Sequence, residues 1–98
     1  MSTHTKRFLT PAVDVFESDE SWRLVADLPH ADRDSLEVTV HEGRLKIRAD
    51  APQGVFERTF RLPSQVLGDA VSAALDNGVL TLEIAKPAEV RPHRVAIA

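Results

Sequence analysis

The stretch Ala73-Ala74-Leu75-Asp76-Asn77-Gly78-Val79-Leu80 decides the fold. Asn-Gly between two alternating runs is the strongest short-range hairpin signal, because both residues accept the positive φ of a two-residue turn. The stretch reads as a strand over 71–75, a turn at Asn77-Gly78, and a second strand over 80–84. The same period of two recurs outward along the chain. Trp22, Leu24, Ala26 and Leu28 share one face of a strand. Leu36 to His41 and Leu45 to Ala49 repeat the alternation of apolar and polar residues. Segments 12–16 and 55–62 are further strands on the same criterion. Glu42-Gly43 and Pro52-Gln53-Gly54 supply turns between neighbouring runs. Pro29, Pro63 and Pro87 end strands, since proline lacks the N–H that a ladder needs. Segments 31–35 and 64–70 read as loops with room for a short helical turn.

A chain of 98 residues holds one core. With 43% apolar and 28% charged residues, that core belongs to a folded domain rather than a disordered segment. About seven to eight short strands with two apolar inner faces predict an all-β, immunoglobulin-like antiparallel β-sandwich. The expected layout is a short N-terminal arm over 1–10, the sandwich over 11–87, and a C-terminal tail over 88–98.

Charge and composition exclude several functions. Seven acids lie between Asp14 and Asp34 against only Arg23 and Arg33, so a nucleic-acid partner is not expected. No apolar run approaches the roughly 20 residues of a membrane span. No secretory signal is recognisable at the N-terminus, and a cytoplasmic location is the default expectation. There are no cysteines, which removes disulfides and thiolate metal sites. His4, His30, His41 and His93 are scattered without metal-ligand spacing. No nucleophile elbow, metalloprotease helix or phosphate-binding glycine loop occurs. No enzyme, metal or cofactor is expected.

Four segments resemble the small heat-shock proteins, the α-crystallin domain family. Ala73 to Leu80 matches the family's A-x-x-x-n-G-v-L signature. Phe56-Glu57-Arg58-Thr59-Phe60-Arg61-Leu62-Pro63 is similar to its F-x-R-x-[FY]-x-L-P strand. Pro11 to Glu17 resembles the opening P-x-x-D-I-x-E segment, and Val95-Ala96-Ile97 fits the tail motif [IV]-x-[IV]. The segments occur in the family's order and cover nearly the whole chain. The resemblance implies an ATP-independent chaperone (a holdase) whose partners are unfolding client proteins and further copies of itself, as a dimer or small oligomer. The alternative is a co-chaperone or adaptor resembling the CS domain, with one folded partner.

The resemblance also distributes roles. Val95 and Ile97, two apart on an extended tail, point the same way and would plug a groove at the edge of the sandwich. Phe56, Arg58 and Phe60 would lie near a subunit interface. From its own strand, Arg58 sits among apolar neighbours, either at an exposed edge or neutralised by an acid. Asn77 and Gly78 set the register of their hairpin. Trp22 belongs to the core. Three departures from the family pattern are visible. His30 stands where Leu-Pro-Gly is usual, so a turn suited to glycine is altered. The loop that carries a swapped strand in bacterial and plant relatives is cut to about 50–54, which excludes that mode of dimerisation. The N-terminal arm offers only Phe8 and Leu9 as apolar contacts.

Overall fold

The computed structural model describes residues 7–63, 65–92 and 95–98. His4, His93 and the tail cation Arg94 lie outside the described residues. Eight strands are present among the described residues: β1 (Phe8–Leu9), β2 (Val13–Glu17), β3 (Ser21–Asp27), β4 (Glu37–His41), β5 (Arg44–Ala51), β6 (Gly54–Arg61), β7 (Val71–Asp76) and β8 (Val79–Ala85). They form two four-stranded sheets, in the orders β1-β6-β5-β4 and β2-β3-β8-β7. Loops 31–35 and 64–70 each hold one short 3₁₀ turn, Arg33–Ser35 and Gly68–Ala70.

The core follows the alternation. Leu24, Ala26 and Leu28 from β3 and its end, Leu45, Ile47 and Ala49 from β5, and Leu80, Leu82 and Ile84 from β8 are all buried. These come from the interior strands of their sheets, where ladders on both sides hide the backbone and the facing sheet hides the inner side chains. The bordering strands β2, β4 and β7 bury their apolar residues only by half or leave them exposed. Trp22 packs against the core without being sealed in it.

Hairpin geometry explains the glycines. Glu42-Gly43 has φ of 50° and 75°, and Asn77-Gly78 has 50° and 76°, the paired positive values of a two-residue hairpin turn. Gly78 also lies against the preceding loop: a Cβ there would stand 3.2 Å from the Leu28 carbonyl oxygen, and the Gly78 carbonyl accepts the Leu28 N–H at 2.7 Å. Between β5 and β6 only Pro52-Gln53 intervenes, with Ala51 paired to Gly54. No segment remains there that could cross to a neighbour.

His30 occupies a turn position that suits glycine. Leu28-Pro29-His30-Ala31 closes with an Ala31 N–H to Leu28 C=O bond of 3.1 Å, and His30 has φ of 62°. Proline second and a positive φ third is the pattern of a type II turn, which favours glycine in the third place. A left-handed L-residue costs about 1–2 kcal/mol, part of which glycine returns as extra freedom in the unfolded chain. The His30 side chain is exposed, so removing it sacrifices no packing. His30→Gly is therefore expected to stabilise by about 0.5–1 kcal/mol, raising the melting temperature by roughly 2–6 °C. An unchanged or lower melting temperature would show that the turn is not strained.

One element departs from the alternation reading. Phe8 and Leu9, assigned to a free arm, form β1 and pair with β6 in parallel, Phe8 opposite Val55 and Leu9 opposite Phe56. Two residues carry no readable period. The pairing depends on Gly54, where a Cβ would run into the Arg7 carbonyl oxygen, and the Val55 N–H donates to that oxygen at 2.7 Å.

Candidate functional sites at the two borders of the sandwich

Each sheet ends in a strand with one unpaired side, and the strands meet at two borders. At the first, β4 lies over β7. Arg33, just before β4, spans the sheets and donates from Nη1 to the Leu75 carbonyl of β7 at 2.7 Å. Val38 and Val40 on β4 and Val71 and Leu75 on β7 are half-buried against the core. Within each strand these residues are spaced by an even number, so their side chains face inward together. The result is an apolar seam between two open edges. Leu67, 65% exposed, stands on the loop leading into β7.

At the second border, β6 and β1 lie over β2. A cleft of about 220 Å³ opens there between Val15, Trp22 and Leu24 on one sheet and Phe60, Leu62 and Pro63 on the other. Val15 and Phe16 are each more than half exposed. Arg58 faces inward beside Phe60, its guanidinium 4.8 Å from the ring centroid. Its Nη1 donates to the Pro11 carbonyl at 3.1 Å, so a backbone oxygen, rather than the acid considered as its alternative partner, receives it. Phe56 is buried in the core, 6% exposed, while Phe60 is only half-buried.

Lys86 was not legible as a special residue. It follows the last residue of β8 and is 5% exposed. Its Nζ lies 2.8 Å from Glu17 Oε2 on β2 and 5.1 Å above the centroid of the Trp22 ring. The ammonium is thus paired twice, by a carboxylate and by a ring face. The Lys86 hydrogen bond, reinforced by its charge, holds the Glu17 carboxyl below the usual carboxylate range. The clasp ties the end of β2 to the point where the tail leaves the sandwich. A lysine in an -Ile-Ala-Lys-Pro- run looks like a strand end in solvent. Only the crossing of β2 over it reveals the burial.

The tail turns once, as a 3₁₀ turn over Ala88–Val90, and Arg91 Nε donates to the Lys86 carbonyl at 2.9 Å. Beyond it Val95 and Ile97 are 83% and 95% exposed, seated on neither border of their own molecule. Among the described residues no group of three or more His, Cys, Asp or Glu could hold a metal ion. No helix among them is long and apolar enough to cross a membrane.

A two-sheet sandwich with these strand orders, a short hairpin turn at Asn77-Gly78 and an exposed V-x-I tail defines an α-crystallin-type domain. Residues 14–98 match the model of the Hsp20/alpha crystallin family, and the chain belongs to that family. It is 36% identical to Spore protein SP21 of Stigmatella aurantiaca over 90% of its own length, and spans 62% of the length of that relative. It is 32% identical to the 16.9 kDa class I heat shock protein 3 of Oryza sativa, covering 95% of this chain and 74% of the rice protein. Among solved structures, a small heat-shock protein from Xylella fastidiosa superimposes with a TM-score of 0.70 at 30% identity, over 90% of this chain and 95% of that one. Small heat-shock proteins as a family are chaperones rather than enzymes, and they self-assemble.

Proposed function

We propose that this chain is an ATP-independent holdase, which covers the apolar strands of partly unfolded proteins before they aggregate. The observation that carries the reading is the pairing of two open sandwich borders, each floored by half-buried apolar side chains, with a V-x-I tail whose two side chains are almost wholly exposed. Open edges offer unpaired N–H and C=O groups to any extended segment, and the seam beside them accepts every second side chain. Binding alone removes a client from the aggregating pool, so no chemistry is required.

The tail is the natural occupant of the β4/β7 seam. Val95 and Ile97 stand about 7 Å apart on one side of an extended chain, the repeat shared by Val38 and Val40 and by alternate residues of β7. Burying both contributes roughly 3–6 kcal/mol gross, and ordering the tail offsets much of it at about 1–2 kcal/mol per residue. The net contact is weak and exchangeable, so the tail acts as a removable cover. At the other border, Arg58 and Phe60, with Phe56 beneath them, form the candidate subunit contact.

The test is light scattering from a heat-labile enzyme, without nucleotide. A stoichiometric amount of this protein should suppress scattering, while a catalytic amount should do little. No suppression at several-fold excess would remove the holdase. Co-precipitation of one native partner, unaffected by heat, would favour the adaptor reading instead.

A further inference from the structure

Charges pair unevenly on the outer face of the β1-β6-β5-β4 sheet. Glu57 of β6 lies opposite Arg48 of β5, with 3.3 Å between charged atoms, and also stands 3.9 Å from Lys46. Glu37 of β4 faces Arg48 from the other side. At the opposite end of the same face Arg61 lies across from Arg44, which in turn faces His41. Among the described residues no acid comes within salt-bridge distance of either arginine. One end of the face is neutralised and the other keeps two facing cations.

The backbone brings these two side chains close. The Leu62 N–H donates to the Gly43 carbonyl at 2.7 Å, so residues 43 and 62 form a hydrogen-bonded pair. The next pair along, Arg44 and Arg61, is then of the non-hydrogen-bonded kind, whose side chains lie nearer each other. Like charges directly opposite are destabilising. Both arginines are exposed, and they border a depression of about 250 Å³ that Glu42, Gly43 and Leu62 also line. Gly43 has no side chain to fill it. The Glu42 carboxylate lies 3.7 Å from His41 Nε2 on β4, and it pairs with neither arginine.

We infer that the Arg44–Arg61 pair is a binding site for a phosphate group, either the free ion or the end of a small monoester. Two guanidinium forks aimed at one point match a tetrahedral dianion, which offers each fork two oxygens and balances both charges. A carboxylate has oxygens for one fork only and would leave the second arginine unpaired. A long polyanion fits less well, because Glu42 and Glu57 flank the pair and would meet its neighbouring charges. A compact dianion seated between the arginines turns their repulsion into attraction and leaves those carboxylates outside.

The experiment is a calorimetric titration of the full chain with inorganic phosphate, ionic strength held constant with chloride. Saturation is expected with a dissociation constant of about 1 mM. Arg61→Gln and Arg44→Gln each remove one fork and should weaken binding at least about tenfold. Each also relieves the like-charge contact, so the variants should fold as firmly as the wild type. Arg48→Gln removes the same charge from the same face, four residues or roughly 13 Å along the strand from Arg44. That distance exceeds the screening length of about 8 Å, so Arg48→Gln should change the constant by no more than about twofold. At tenfold excess over the dissociation constant, phosphate should raise the wild-type melting temperature roughly 5 °C more than that of either pair variant. O-phosphoserine separates the two sources. Equal saturation shows that a monoester terminus suffices, and saturation by inorganic phosphate alone confines the site to the free ion; either result supports it. No saturation by about 10 mM inorganic phosphate, binding unchanged in both pair variants, or an equal loss in Arg48→Gln would each overturn the inference.

Discussion

Leu82→Ala is expected to lower the unfolding free energy by about 2–5 kcal/mol, the largest effect of any single substitution considered. Leu82 is 1% exposed, in the middle of β8, with Leu24 of β3 opposite on one side and Ala73 of β7 on the other. Strands on both flanks and a second sheet above leave nothing free to collapse into the space the alanine would vacate. Against a total of about 5–15 kcal/mol for a domain of ordinary stability, a loss of that size puts the variant near its unfolding midpoint at heat-stress temperatures. A urea titration would read it as a lower midpoint with an unchanged slope. Val79→Ala, on the same strand but 37% exposed, should cost well under half as much. Equal losses at the two positions would mean that the interior of β8 is not the centre of the core. Under the proposed holdase function the chain has to outlast its clients, so this variant should also lose scattering suppression at a lower temperature than the wild type.

The second large effect concerns assembly. Replacing Val95 and Ile97 together by serine should shift the size distribution in native mass spectrometry toward the smallest species and accelerate subunit exchange. The two side chains are 83% and 95% exposed in the single chain, so their loss cannot weaken the fold of one molecule. Any change must come from contacts between molecules. The gross burial of roughly 3–6 kcal/mol sets the upper limit, corresponding to about 10²–10⁴ in the dissociation constant, before the ordering of the tail is subtracted. A peptide of residues 91–98 added to the wild type should mimic the variant by competing for the β4/β7 seam. An unchanged distribution would show that the tail does not mediate assembly in solution.

Several features of these sites were legible beforehand, each for a local reason. Val95 and Ile97 announce themselves by spacing, because a period of two needs no neighbour to be recognised. Glu42-Gly43 and Asn77-Gly78 announce turns, because the positive φ they accept belongs to the residues themselves. The Leu28-Pro29-His30 turn is legible by its missing glycine, and His30 takes the positive φ that glycine would favour. Other features had no local signal. β1 is two residues long and depends on the absence of a side chain at Gly54, far along the chain. Arg58 finds its partner in the Pro11 carbonyl, 47 positions away, and backbone oxygens leave no mark in a sequence. Lys86 becomes buried only because Glu17 and Trp22 arrive from the other end of the domain.

By itself, the order of amino acids determined strands β2 to β8, the hairpin turns and the two-faced pattern that makes a sandwich the way to bury them. Those depend on interactions between near neighbours, for which side-chain period and φ preference suffice. Which edges stay open, which charged groups become enclosed, and where Arg58 finds its partner were decided by the tertiary structure alone. Each of those outcomes is set by strands far apart in the chain coming to lie side by side.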